Sequence, residues 1–197
     1  MTHESIVIKK LTKSYGGHPV FDGFSAEIPL NGVTVLRGAS GAGKTTLFRL
    51  LLGLERPDGG EILGMQGKKP AVVFQEDRLL PWATALDNVS LVSNSARAGA
   101  ALSRLGLSES LLQQPKELSG GMKRRVAIAR ALAYGGDLLF LDEPFTGLDE
   151  ENKRIAARAL LDEGVPILVI THDDAETELF GKFKEIVIGE SGTMPAG

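Results

Sequence analysis

An α/β fold on a mainly parallel sheet is what this sequence of 197 residues predicts. Three observations point to it. Short, wholly apolar runs at 71–74 (AVVF), 138–141 (LLFL) and 167–170 (ILVI) suit strands covered on both faces. Helical patterns at 45–53, 121–134 and 151–163 alternate with them, and strand–helix alternation builds parallel sheets. The 24 glycines gather at turns rather than in a low-complexity tract.

Taken in order, SIVI at 5–8 and VTVL at 33–36 read as strands. Between them KSYGGHPVFDGFSAEIP alternates polar and apolar residues around Gly and Pro turns, the pattern of an antiparallel, hairpin-rich region. The stretch 77–116 carries no strand pattern. Its segments ALDNVSLV, AALSRLG and SESLLQQ read as short helices inserted between two core strands. The expected organisation is one domain over 1–197, with a core formed by 1–76 and 117–197 and a helical subdomain at 77–116.

Composition narrows the function. Hydrophobic residues are 43% and charged residues 24%, as in ordinary globular chains. A net charge of −3 gives no general attraction to nucleic acid or anionic lipid. The absence of cysteine excludes disulfides, cysteine-ligated zinc and thiol catalysis. MTHESIVIKK has no secretory pattern, and no apolar run approaches the roughly 18 residues of a membrane span. The chain is therefore expected to be cytoplasmic, reaching a membrane only through a partner.

The sharpest motif is GASGAGKTT at 38–46, a strand before it and a helical pattern after it. It fits G-x-x-x-x-G-K-[ST] at Gly38, Gly43, Lys44 and Thr45. In such a loop, here Gly38, Ala39, Ser40, Gly41, Ala42 and Gly43 followed by Thr46, backbone N–H groups turn inward around a phosphate. Lys44 supplies a point charge to phosphate oxygens and Thr45 offers its hydroxyl to Mg²⁺. A chance match in a glycine-rich chain is the plain alternative, and the strand–helix setting argues against it. LLFLDE at 138–143 then carries Asp142 and Glu143 to the carboxyl end of a buried strand, where open α/β sheets bind ligands. Asp142 suits Mg²⁺, through water or Thr45, and Glu143 suits the orientation and deprotonation of an attacking water. A second helix start, ELSGGMKRR at 117–125, raises a question, because helix starts attract anions and the phosphate loop lies far upstream.

These residues and four further stretches resemble the ATP-binding subunits of ABC transporters over nearly the whole chain. LSGGM at 118–122 looks like their signature motif, Gln75 in VVFQEDRLLPW matches the Q-loop, LLFLDEPFTGLD matches the second nucleotide motif running to the D-loop at Asp149, and ITHDD matches the switch histidine, His172. The resemblance implies a P-loop NTPase (RecA-like) core with an antiparallel β subdomain near the amino terminus and a small helical subdomain. It implies ATP and Mg²⁺ as ligands, adenine stacking on Tyr15, and Thr45, Gln75 and Asp142 facing the metal. It gives catalytic roles to Glu143, to His172 at the γ-phosphate and to Gln75. It also implies a head-to-tail dimer in which Ser119, Gly120 and Gly121 touch the ATP of the other copy. The expected partners are a second ATPase subunit, integral-membrane permease subunits and, indirectly, an external solute-binding protein. The expected location is cytoplasmic, on the inner face of the cell membrane.

EDRLLPWATALDNV is similar to the ATPases of nitrate, sulfonate and taurine importers. Leu80 and Trp82 are either core residues of the insertion or a grip for a permease helix. Only 44 positions separate Gln75 from Ser119 and the chain runs 25 positions past His172, which predicts a small helical subdomain and no regulatory carboxyl-terminal domain. Lys123, Arg124, Arg125 and Arg130 read as a solvated helix face rather than a nucleic-acid surface. Three other functions compete: a soluble ABC ATPase of DNA repair or translation, a non-enzymatic nucleotide-binding module, and a P-loop kinase. The first usually carries a coiled coil or a second ATPase domain, the second has no need of Glu143 and His172, and the third has no use for LSGGM.

Overall fold

A computed structural model describes residues 4–189 of the chain; residues 1–3 and 190–197, the outer limits of the expected domain, lie outside the described residues. The elements in order are β1 (Ser5–Tyr15), β2 (His18–Pro29), β3 (Val33–Gly38), α1 (Lys44–Leu51), β4 (Gly59–Leu63), β5 (Pro70–Val73), α2 (Ala85–Ser90), α3 (Ser95–Arg104), α4 (Gly120–Tyr134), β6 (Leu138–Asp142), α5 (Glu150–Leu161), β7 (Ile167–Ile170), α6 (Asp174–Glu178) and β8 (Phe183–Ile188).

Five strands form a wholly parallel sheet in the order β5-β6-β7-β3-β8. Every residue of β6 and β7 is buried, because this sheet is covered on both sides. Side chains alternate across a strand, and the two faces divide accordingly. Leu139, Leu141, Ile167 and Val169 join α4, α5 and the inserted helices. Leu138, Phe140, Leu168 and Ile170 join α1 and the antiparallel strands. Phe48 of α1 meets Phe140 edge-on, with centroids 5.2 Å apart, a geometry that rings favour.

The antiparallel sheet runs β2-β1-β4. Strand β1 extends to Tyr15, well past the expected 5–8, and its register slips near Lys10 break the period-two pattern by which a strand is recognised. Gly60 is required at this slip. A Cβ there would lie 2.3 Å from the Lys10 carbonyl, and its φ is +83°. The strands β4 and β8 were not expected from the sequence. The first is five residues with two glycines, and the second is an edge strand with four of its six residues exposed.

The stretch 77–116 contains no strand and holds α2, α3 and a single 3₁₀ turn at 108–110, with a second turn spanning 115–117. It has no separate core. Ala85, Val89, Ala98, Leu102, Leu105 and Leu107 are buried in the same cluster as Val126 of α4 and Leu139 of β6. Helix α2 starts with a capping box, Thr84 and Asp87 each bonding the other's backbone N–H.

The basic residues of α4 correct the expectation of a solvated face. Arg124 is 2% exposed, and Arg125 and Arg130 are half-buried with guanidinium bonds to the carbonyls of Leu105, Asp77 and Arg78. The reason is that α4 is covered on nearly all sides, by the sheet and by the inserted helices, so polar side chains on it must find protein partners.

Candidate nucleotide site

The loop between β3 and α1 is built by glycine geometry. Gly43 caps α1 in the left-handed region, and a Cβ there would stand 2.7 Å from Val20 and 2.9 Å from Phe21. Gly41 also has a positive φ, with open space where a Cβ would point. The loop therefore borders a concavity rather than packed protein. Lys44 lies along it, its Nζ donating to the Gly38 and Ala39 carbonyls at 2.7 and 2.8 Å.

Beside the loop is a cavity of about 330 Å³, lined by Tyr15, Val20, Ser40, Gly41, Gly43, Lys44, Thr45, Thr46, Gln75, Asp142, Glu143 and Ile170. Residues up to 155 positions apart in sequence thus converge, because β3, β5, β6 and β7 all end on this side. The Thr45 hydroxyl donates to Asp142 at 3.4 Å. Burial, and next the charge of Glu143, push the Asp142 carboxyl up. The Thr45 bond and the Arg124 and Lys44 cations oppose this.

These oxygen donors fit Mg²⁺, a hard cation. They are too few to enclose it: among the described residues no group of three or more His, Cys, Asp or Glu side chains could hold a metal alone. A set of one hydroxyl, one carboxylate and the nearby Gln75 suits a cation delivered with phosphate oxygens. The loop fits phosphate by its open, left-handed Gly41 and its lysine.

Glu143 follows β6 with φ +48°, a left-handed conformation unusual for a residue with a side chain. Its carboxylate Oε1 lies 2.9 Å from Nδ1 of His172. Their mutual hydrogen bond, then the charge of Glu143, raise the histidine's pKa. The His172 turn is itself braced from below. Buried Thr171 donates to Glu176 at 2.7 Å, and Lys153 of α5 pairs with Glu176 at 3.4 Å. Tyr15 is 42% exposed at the cavity rim, and its hydroxyl is tied to Glu55.

Ser119, Gly120, Gly121 and Asp149 stand apart from this group, and none of them lines the cavity. Ser119 caps α4 by accepting from Met122 N at 3.2 Å, and Asp149 caps α5 by accepting from Asn152 N at 2.9 Å. The two caps are adjacent, since a Cβ on Gly121 would lie 3.1 Å from the Gly147 carbonyl. The chain thus presents a phosphate-type loop in a cavity and, outside it, two adjacent exposed helix starts, at Ser119 and Asp149.

Two residues that organise the surroundings escaped sequence reading. Arg124 bonds backbone carbonyls on both sides of the cavity floor. Asn88, fully buried, accepts from Leu80 N and donates to the carbonyls of Leu80, Ala83 and Thr84. That fixes the loop carrying Trp82, which is 72% exposed and so not a core residue. Spacing gives no warning of either, since both roles are bonds to main chain distant in sequence or folded back on itself.

Comparison with known proteins agrees with this geometry. The profile described as ABC transporter matches residues 21–146. The chain is 44% identical over 201 aligned positions to the aliphatic sulfonates import ATP-binding protein SsuB 3 of Paraburkholderia xenovorans (strain LB400), covering 98% of this chain and 79% of that one. It superposes on the dimeric structure of MJ0796, a bacterial ABC transporter cassette, with TM-score 0.83 at 27% identity and 97% of each chain covered. A post-hydrolysis structure of the same cassette, bound to ADP and Pi, gives a TM-score of 0.81 at 26% identity and the same coverage. The fold, the phosphate-type loop and these likenesses together place the chain in the ABC transporter family.

Proposed function

We propose that this chain is the Mg-dependent ATPase subunit of an importer for small sulfonate-type anions, working as a dimer on the inner face of a membrane beneath partner permease subunits. The observation that carries the reading is the convergence of Lys44, Thr45, Asp142 and Glu143 on one cavity while the Ser119 helix start faces elsewhere. Importer function and the sulfonate class rest on the likeness to the sulfonate import subunit. Among the described residues no helix is long and apolar enough to cross a membrane, which suits a subunit that borrows its membrane path from partners.

Each residue has a task in this reading. Backbone N–H groups of 38–43 and the Lys44 ammonium hold the phosphates of ATP, and Tyr15 offers its ring to adenine. Thr45 and Asp142, with Gln75 at the rim, would hold Mg²⁺, which when bound neutralises and bridges phosphate oxygens. Glu143 orients the attacking water and takes its proton. His172 holds Glu143 through Nδ1 and donates towards the γ-phosphate, where charge develops. Ser119, Gly120 and Gly121 complete the site of a second copy, as a charge-stabilising group supplied in trans does in other phosphoryl-transfer enzymes. Residues 77–116 form the subdomain that meets the permease.

Glu143→Gln tests the chemistry. The variant should bind ATP within about threefold of the parent and lose on the order of 100-fold or more in turnover. A variant that hydrolyses ATP at the parental rate would remove Glu143 from the mechanism. For the import step, loss of growth on an alkanesulfonate as sole sulfur source should be restored by the parent chain and not by the variant.

A further inference from the structure

We propose that Arg124 is a positioning residue which, from the signature helix α4, fixes the backbone of both turns that flank the hydrolytic site: the turn bearing Gln75 and the turn bearing Glu143. Its guanidinium reaches five main-chain carbonyls. Nη1 donates to Phe74 at 2.6 Å and Gln75 at 3.2 Å, Nη2 to Asp142 at 2.8 Å and Glu143 at 2.7 Å, and Nε to Pro144 at 2.9 Å. Asp77 adds an ion pair at 3.1 Å. The side chain is nearly inaccessible, so this charge is tolerated only because all its donors are used.

Two facts make this more than structural fastening. Glu143 holds a left-handed backbone, φ +48°. A strained residue of this kind persists only where its surroundings over-determine it. Here its N–H is bound to Ile170 at 2.9 Å, and its carbonyl accepts from Arg124 at 2.7 Å and from the N–H and hydroxyl of Thr146 at 3.3 and 3.1 Å, so the arginine supplies the shortest bond to that carbonyl and the one that comes from another element. Arg124 also lies five positions after Ser119, on the same helix whose exposed start is assigned above to the site of a second copy. A displacement of α4 by that copy would therefore be felt at the Gln75 and Glu143 backbones without passing through ATP. A planar fork suits this task, because it binds two separate turns in a fixed relation, which an ammonium does not.

The inference rests on the ATPase reading above, and the experiment separates the two. Arg124→Met, Arg124→Lys, Arg130→Met and Glu143→Gln are made in the full chain. Binding of a fluorescent, non-hydrolysable ATP analogue gives the number of competent sites, and turnover is expressed per site. Arg124→Met should keep one site per chain with affinity within about threefold and lose on the order of 100-fold in kcat, as expected for a small misplacement of a catalytic group. Arg124→Lys, with the charge but not the fork, should lose about 10-fold or more. Arg130→Met should lose less than about threefold, since Arg130 bonds only the carbonyls of Asp77 and Arg78. If Arg124→Met does not fold, Arg124→Lys decides alone. Parental turnover per site in a folded Arg124 variant overturns the inference, as does a loss explained wholly by missing sites, or an equal loss in Arg130→Met. Absence of ATP turnover by the parent chain would overturn the ATPase reading and this inference with it, whereas parental turnover in Arg124→Met beside a loss in Glu143→Gln would overturn this inference alone.

Discussion

At the residue scale, Glu143 and His172 behave as one unit. The carboxylate reaches Nδ1 at 2.9 Å, although the histidine side chain is 82% exposed. In the folded chain the proton is held more tightly than in the unfolded chain, because the neighbouring carboxylate favours imidazolium. The pair's contribution to stability is therefore complete below the unfolded value of about 6.5, and it fades as pH rises through the raised folded value. Exposure keeps this contribution small. In the nucleotide-free chain, NMR titration of His172 should give a midpoint above about 6.5, and Glu143→Gln should return it towards that value. Identical midpoints in the two chains would show that the contact does not persist in solution. The same pairing explains how a residue so accessible can still be aimed: its partner is anchored by backbone, and its own turn rests on the buried bond of Thr171 to Glu176.

At the element scale, strands with a continuous apolar run were readable, the edge strand β5 among them, and strands without one were not. LLFL and ILVI appear as β6 and β7 because continuous burial leaves a continuous apolar run. β8 alternates exposed and buried residues and β4 is cut by glycines, so neither leaves a run to recognise. The same limit applies to the site. Residue types suited to phosphate or metal fall into a few motifs and spacings, which is why Lys44, Thr45, Asp142 and Glu143 could be singled out, and the structure brings the four to one cavity. Residues that hold main chain are not confined in this way. Arg124 read as part of a solvated helix face, and nothing in ALDNVSLV singled out Asn88. For Asn88 the consequence is measurable. Its four bonds to Leu80, Ala83 and Thr84 fasten the 80–84 loop to α2 in a fully buried position. Asn88→Ala leaves the Leu80 N–H without its acceptor, while the Leu80 and Thr84 carbonyls keep the N–H groups of Ala83 and Asn88, and it should cost about 2 kcal/mol or more in denaturant unfolding. Hydrogen exchange should quicken at the Leu80 amide. A variant as stable as the parent would mean that water replaces the amide there at no cost.

At the scale of the whole molecule, the phosphate-type loop and the Ser119 helix start lie apart, since the second does not line the cavity formed beside the first. The cavity contains the loop, the acidic pair and Tyr15, while the Ser119 helix start and the Asp149 cap stand outside it, packed against one another through Gly121 and Gly147. In the proposed reading a single copy binds ATP but lacks the donors on the far side of the γ-phosphate. A second copy turned head to tail would supply them, and ATP would then act as the link between the copies. Bound to both surfaces, it favours the closed pair by its differential affinity. Ser119→Arg isolates that link. The substitution adds a bulky cation at an exposed cap 44 positions from Gln75 and outside the cavity. ATP affinity of the dilute chain should stay within about threefold, because no residue lining the cavity is touched. The closed pair is best seen with Glu143→Gln, which traps ATP unhydrolysed. Sedimentation of that variant with Mg-ATP should show a dimer that disappears when Mg²⁺ is chelated, and the double variant with Ser119→Arg should remain monomeric at every ATP concentration. Turnover of the Ser119→Arg single variant should fall by on the order of 100-fold or more, the scale on which a group supplied in trans acts. If Ser119→Arg instead weakened ATP binding by the dilute chain as much as it weakened turnover, the exposed helix start would belong to its own chain's nucleotide, and the head-to-tail arrangement would be wrong.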